Sequence, residues 1–437
     1  MNRNSIKKLL LEFKEQGVPD DLIDRNIKIV WNQNKVNVLA GIRRAGKTYL
    51  MYQLIKELNK ENSYYINFED DRLINPKLED LSSLLDIIKE LFNPKGKIYL
   101  FVDEIQNVEG WEKWCRRMSE NKNIILFVSG SSSRLTSYEI PTYLRGRSLT
   151  NIVYPLDLKE FLKFKGFDAD LKTIDYSPKK STLLGFFNEY LAFGGFPEIV
   201  LEKDRIKKIR ILQDYYITIL MRDIEERYNI KNRVGLENFL KYLINNYSSQ
   251  ISFSKAVNWL RSVGIRIGKQ TLMEYYKYIK ESFFIRDVQI FSYSIKDREQ
   301  YPIKIYLVDN GFVAALTAKQ ERGKLFEQLV ANSLFKAQDI NPSIKIYYYR
   351  NKEGYEVDFM VEHNNTAKQL IQVSAVSNFD EIDKREIRAL LHAKKELNCD
   401  NLAVITDDYE GVEQVSWFGI KAKIKFIPLW KWLLGIV

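Results

Sequence analysis

Eight residues of this 437-residue chain, Gly41-Ile42-Arg43-Arg44-Ala45-Gly46-Lys47-Thr48, have the spacing G-x-x-x-x-G-K-T. Glycines placed this way let a backbone curl so that successive N–H groups converge on phosphate oxygens. A helix beginning at the end of the loop adds the positive end of its dipole. Lys47 then reaches the outer phosphates of a nucleoside triphosphate, and the Thr48 hydroxyl ligates Mg²⁺. Arg43, Arg44, Ala45 and Tyr49 complete the nucleotide-binding set, the two arginines either adding charge near the phosphates or pointing away. Fifty-five residues beyond Thr48, Asp103-Glu104 closes the apolar run Ile98–Val102. A carboxylate at the C-terminal edge of a parallel strand faces the crevice where ligands bind. Asp103 is expected to hold Mg²⁺ through water, and Glu104 to orient or deprotonate an attacking water. The chemistry these residues predict is binding and hydrolysis of ATP.

Two further groups could serve that chemistry. Ser129 lies in Ser129-Gly130-Ser131 at the next strand end, where a polar side chain could sense the γ-phosphate; a plain Gly/Ser turn is the alternative. Arg145 and Arg147, in Leu144-Arg145-Gly146-Arg147, could stabilise transition-state charge in cis or from a neighbouring subunit, which would imply a homo-oligomer. A surface arginine pair is the competing reading.

The elements that must position these residues are visible as alternating apolar runs and helical patterns, as in a parallel sheet covered by helices. VNVLA at 36–40, YYINF at 64–68, IYLFV at 98–102 and IILFV at 124–128 read as strands. From Thr48 a helix should carry Leu50, Met51, Leu54, Ile55 and Leu58 on one face. Residues 155–230 read as helical, interrupted by GGFP at 194–197.

GIRRAGKT, IYLFVDE, the strand-end SGSSS and LRGR followed by YPLDLKEFL resemble the AAA-type ATPases common in archaea and bacteria, related to the origin-recognition branch of AAA+ proteins. YINFEDDRL and LAFGGFPEIV are similar to recurring segments of that group. The resemblance spans nearly the whole chain. It implies an ATP-dependent switch with a winged helix and a nuclease-like C-terminal domain.

Residues 235–316 themselves read as a winged helix-turn-helix. ISFSKAVNWLRSVG suggests a helix with Ala256, Trp259 and Leu260 inward, and GKQTLMEYYKYIKES a second with Leu272, Tyr276 and Ile279 inward. FFIRDVQIF and KIYLV would be strands around a wing, SYSIKDREQYP. Lys269, Lys277 and Lys280 on the second helix, with Lys296 and Arg298 in the wing, are the candidate contacts to double-stranded DNA. Winged helices also serve as protein-binding modules, so an acidic partner is the alternative. From 320 onward the chain resembles the PD-(D/E)xK nuclease core. That resemblance implies metal positions at Glu327 and Asp358, beside Glu356, and a third motif at Gln372-Val373-Ser374. Ser374 stands where the catalytic lysine belongs, so the implied fold is degenerate, binding or assembling rather than cutting; Lys368 is the candidate for a migrated lysine. An ATP-regulated, metal-dependent nuclease is the rival function.

Composition agrees with this layout. The net charge is +10, but residues 231–319 carry 14 basic and 7 acidic side chains, so most of the excess belongs to that segment. Cys115 and Cys399 are far apart and there are two histidines, which argues against a disulfide framework or a thiolate metal site. No run reaches the roughly 18 apolar residues of a membrane span, and the charged N-terminus lacks an export signal, so the expected location is cytoplasmic. The expected fold is α/β: a P-loop sheet domain over 1–154, a helical lid over 155–230, a winged helix over 231–319 and a restriction-endonuclease-like α/β domain over 320–437.

Overall fold

The structure, a computed structural model, describes residues 2–58, 61–131 and 146–436. The chain divides into two compact units, Met1–Tyr154 with Glu281–Phe283, and Pro155–Lys280 with Phe284–Val437.

The first unit is built on a five-stranded sheet of β1 (Val36–Ala40), β2 (Ser63–Asn67), β3 (Ile98–Asp103), β4 (Ile124–Gly130) and β5 (Ser148–Ile152), ordered β2-β3-β4-β1-β5. Every pairing is parallel. Its helices are α1 (Arg3–Gln16), α2 (Lys47–Leu58), α3 (Leu78–Phe92) and α4 (Trp111–Ser119). One sheet face, including Val36, Val38, Ile66, Leu100 and Leu126, packs on Ile6 and Leu10 of α1, Leu84 and Ile88 of α3 and Trp114 of α4. Because helices cover the sheet, its inner strands are apolar on both faces and read as continuous runs. β5 escaped the sequence reading because SLTNI is half polar, which an edge strand tolerates.

The second unit opens with helices α5 (Leu158–Phe164), α6 (Lys179–Phe193), α7 (Pro197–Leu201) and α8 (Arg205–Thr218), the last continuing as a π-helical stretch to Glu226. Next come α9 (Arg233–Asn245), β6 (Ser249–Ile251), α10 (Phe253–Ser262), α11 (Lys269–Glu281), β7 (Ile285–Ile290), α12 (Ile295–Gln300), β8 (Ile303–Leu307) and α13 (Gly311–Leu316). The chain ends in α14 (Arg322–Ile340), β9 (Ile344–Arg350), β10 (Glu356–His363), β11 (Thr366–Val373), α15 (Lys384–Leu397), β12 (Leu402–Thr406), β13 (Gly411–Trp417), β14 (Ile420–Pro428) and α16 (Leu429–Leu434). All its strands join one mixed sheet, ordered β13-β14-β12-β11-β10-β9-β7-β8-β6.

The segment 155–230, expected as a lid, therefore folds within the second unit. The Gly194-Gly195 turn shows why. Asp309 Oδ2 accepts the Gly195 N–H at 2.8 Å and Oδ1 the Gly311 N–H at 2.8 Å. A Cβ on Gly194 (φ 73°) would lie 1.6 Å from the Asp309 carboxylate, and one on Gly195 would lie 2.1 Å from the Leu156 carbonyl oxygen. Only glycine fits this closely. The C-terminal run is core: Leu429, Trp430 and Leu434 are buried, and Lys431 pairs with Asp175 at 2.5 Å and Glu410 at 2.6 Å. Among the described residues, no helix is long and apolar enough to cross a membrane.

Candidate nucleotide site

The loop between β1 and α2 turns at Arg44 (φ 69°) and Gly46 (φ 91°), and α2 begins at Lys47. Gly41 is required by close approach, since a Cβ there would sit 2.1 Å from the Val153 carbonyl oxygen. The loop thus combines tight backbone, a helix N-terminus and no bulky side chain at the contact point, the geometry that suits phosphate. Lys47 is 4% exposed, and its Nζ donates to the carbonyls of Gly41 and Ile42, each at 3.1 Å. Its Nζ also lies 4.0 Å from Glu104 Oε1.

The strand order brings the two halves together. β1 and β3 flank β4, so Thr48, Asp103 and Ser129 converge at neighbouring strand ends. Thr48 Oγ1 donates to Asp103 Oδ2 at 2.6 Å, and Tyr65 Oη donates to the same oxygen at 2.9 Å. Ser129 Oγ donates to Asp103 Oδ1, which places this serine at the carboxylate. Burial, then the charge of Glu104, pushes the Asp103 pKa up against the pull of its three hydroxyl donors. Burial also pushes the Tyr65 hydroxyl far up, which keeps it a donor. Glu104 is 7% exposed, has a left-handed backbone (φ 51°) and accepts from Gln106 Nε2.

The remaining loop side chains separate. Arg43 Nη1 forks onto Glu69 at 2.8 and 3.0 Å, and Tyr49 is exposed. Arg145 lies outside the described residues, and Arg147 pairs with Glu120. Two participants carry no sequence signal. Arg25, buried in the N-terminal segment, donates at 2.9 Å to both the Ala45 and Tyr154 carbonyls and so braces the loop. Tyr65 is the other. Both reach the site only through tertiary packing.

The candidate DNA contacts are also dispersed. Lys269, Lys277 and Lys280 are exposed on α11, but Lys280 pairs with Asp287. The expected wing carries the helix α12, on which Lys296 is exposed, while Arg298 donates to Tyr347 Oη at 3.3 Å. Ala256 and Leu260 face inward as expected; Trp259 does not. It is 37% exposed and packs at a tilt against Tyr242, because position 259 falls at the rim of the α10 apolar stripe. Glu327 and Asp358 are brought together, with Lys304 between them rather than Lys368 or Ser374.

A five-stranded parallel sheet with this loop defines an AAA-type ATPase domain, and residues 33–162 match the family described as "AAA domain". Residues 185–323 and 322–432 match two families described as domains of unknown function, DUF8612 and DUF4143. Over 431 residues the chain is 37% identical to an uncharacterized protein of Methanocaldococcus jannaschii, covering 98% of this chain and 95% of that one. The chain belongs to the same family as that archaeal protein. It is also 29% identical over 282 residues to an uncharacterized protein of Haemophilus influenzae, covering 63% of this chain and 68% of that one. Among solved structures, the Walker-type ATPase of Pyrococcus abyssi aligns with a TM-score of 0.44 at 15% identity, over 72% of this chain and 95% of that chain. Cdc6p from Pyrobaculum aerophilum aligns with a TM-score of 0.25 at 12% identity, over 75% and 94%.

Proposed function

We propose that the chain binds and hydrolyses ATP with Mg²⁺, and that the nucleotide state switches a DNA-binding winged-helix module at residues 231–319. The observation that carries the first half is the 2.6 Å contact between Thr48 Oγ1 and Asp103 Oδ2, with Glu104 and Lys47 buried beside it. The Thr48 hydroxyl would ligate Mg²⁺ and Asp103 would hold the ion through one of its waters, the remaining ligands being waters and phosphate oxygens. When bound, Mg²⁺ would neutralise phosphate charge and draw Asp103 into its ionised form. Lys47 would leave its loop carbonyls for the phosphates, and Glu104 would accept a proton from, or orient, the attacking water.

The DNA half is supported by the antiparallel order β7-β8-β6 beside α10 and α11, and by the exposed lysines of α11. The local excess of basic residues supports it too. A protein client is the second reading, favoured by the exposure of Trp259 and Met273 on that helix pair and of Val263 just after α10. One ATPase assay with and without duplex DNA tests the proposal. Lys47→Ala should abolish turnover, and DNA should change the wild-type rate. Unchanged hydrolysis in Lys47→Ala would sink the site assignment, and indifference to DNA would leave the protein-client reading.

A further inference from the structure

Deep in the second unit, an ammonium sits among carboxylates. Lys304 lies on β8, opposite Gln250 of β6 and Val288 of β7. It is only 4% exposed. Its Nζ lies 2.8 Å from Asp358 Oδ1, 2.9 Å from Glu356 Oε1 and 3.1 Å from Glu327 Oε1. The three acids come from two elements, α14 and β10, and the lysine from a third, so the convergence is tertiary. Burial alone would push the Lys304 pKa down, but the charges of Asp358 and Glu327 outweigh it and hold it well above its ordinary value. The ammonium is therefore charged at any physiological pH.

The surroundings are those of an ion site. Gln372 Nε2 and the Val373 N–H donate to Asp358 Oδ2 at 2.7 and 3.0 Å, and Tyr306 Oη donates to Glu327 Oε1 at 2.7 Å. Gln372 Oε1 and Glu386 Oε2 line the same cleft, buried and with no hydrogen-bond partner. The cleft has a volume of about 510 Å³. A divalent cation would need the point between the carboxylates that Nζ holds, with oxygens at roughly 2.0–2.6 Å. With the ammonium present, a metal there would meet a fixed like charge at van der Waals range. Among the described residues, no group of three His, Cys, Asp or Glu side chains is placed to hold a metal ion. The metal that a nuclease-like core implies thus does not fit this one.

We propose that the Lys304 ammonium is the resident cation of this cluster, so that the C-terminal domain uses no divalent metal there and is instead pinned by Lys304 to the β6-β8-β7 strands. Taking the lysine away leaves Glu327, Glu356 and Asp358 as uncompensated charge beside the unpartnered Gln372 and Glu386 oxygens, and these carboxylates, which as placed form no metal-binding group, would close in around a divalent cation. Replacing a buried ion-pair partner leaves uncompensated charge, which the incoming ion restores.

The experiment titrates the nucleotide-free full chain with Mn²⁺, read by electron paramagnetic resonance and thermal unfolding. The wild type should show no Mn²⁺ binding that depends on Asp358. Lys304→Ala should have a lowered Tm, should gain a Mn²⁺ site, and should regain Tm as Mn²⁺ is added. Asp358→Asn in that background should weaken the new site by roughly tenfold or more. A folded Lys304→Ala protein that binds no more Mn²⁺ than the wild type overturns the proposal. The wild type decides the matter even if Lys304→Ala fails to fold. Mn²⁺ binding that raises its Tm and is lost in Asp358→Asn would show that a metal displaces the lysine, and an unmoved Tm supports the proposal.

Discussion

Glu104 illustrates how much one residue's backbone decides. Its left-handed conformation costs a non-glycine residue roughly 1–2 kcal/mol. That conformation ends β3 abruptly and leaves the carboxylate 4.0 Å from Lys47 instead of continuing the sheet. Glu104→Gln keeps the shape and removes the proposed base. It should bind ATP normally in an equilibrium assay, while steady-state turnover falls by roughly 10²–10⁴. Wild-type turnover would remove Glu104 from the mechanism. The phosphate loop and Asp103-Glu104 were legible because a run of a few residues dictates their local geometry. Arg25, Tyr65 and Lys304 were not, because each acts through a partner 20 or more positions away. Lys304 had one faint sign: a lysine between Ile303 and Ile305 in an otherwise apolar strand.

Among the elements, α11 carries the DNA proposal. Lys269 and Lys277 are exposed on it, and Lys280 pairs with Asp287. Lys269→Glu with Lys277→Glu should weaken duplex binding and lower the slope of log affinity against log salt by about one per phosphate contact removed. Lys280→Ala should change that slope less. Fluorescence anisotropy across a salt series reads both; equal slopes in all proteins would remove Lys269 and Lys277 from the phosphate contacts, and an affinity unmoved by salt would reject phosphate-dominated binding. The helical periods of α10 and α11 were readable in sequence. Trp259 was misassigned because its size suggests the core, yet its position lies at the stripe's edge. The helix within the expected wing was hidden by SYSIKDREQYP, whose polar residues and proline read as a turn.

For the molecule as a whole, the sequence suggests four consecutive domains, and contacts group residues 155–280 and 284–437 in one unit. Gly194-Gly195 and Asp309, more than a hundred residues apart, meet in its interior. Burial raises the Asp309 carboxyl to about 7, against the pull of the Gly195 and Gly311 N–H groups and of Lys336. Its unfolded value is about 3.9, so the folded form is favoured below that pH and loses the advantage as pH rises to about 7. Asp309→Asn does not titrate. Urea unfolding of both proteins at several pH values should show the wild type losing up to about 4 kcal/mol relative to the variant between pH 4 and 7. A pH-independent difference would mean that Asp309 is ionised throughout.

The parallel pairing of β7 with β9 has a consequence for how this protein could be divided. Gln289 and Ile290 lie opposite Tyr347 and Tyr348, and the Phe291 N–H donates to the Tyr348 carbonyl at 2.7 Å, so the three-stranded and six-stranded parts of the sheet share one short seam. Separating the chain near residue 320 would lay bare a raw margin on each fragment, with peptide groups seeking another strand. Such margins recruit copies of themselves. The middle and terminal segments should therefore be more soluble joined than as separate fragments.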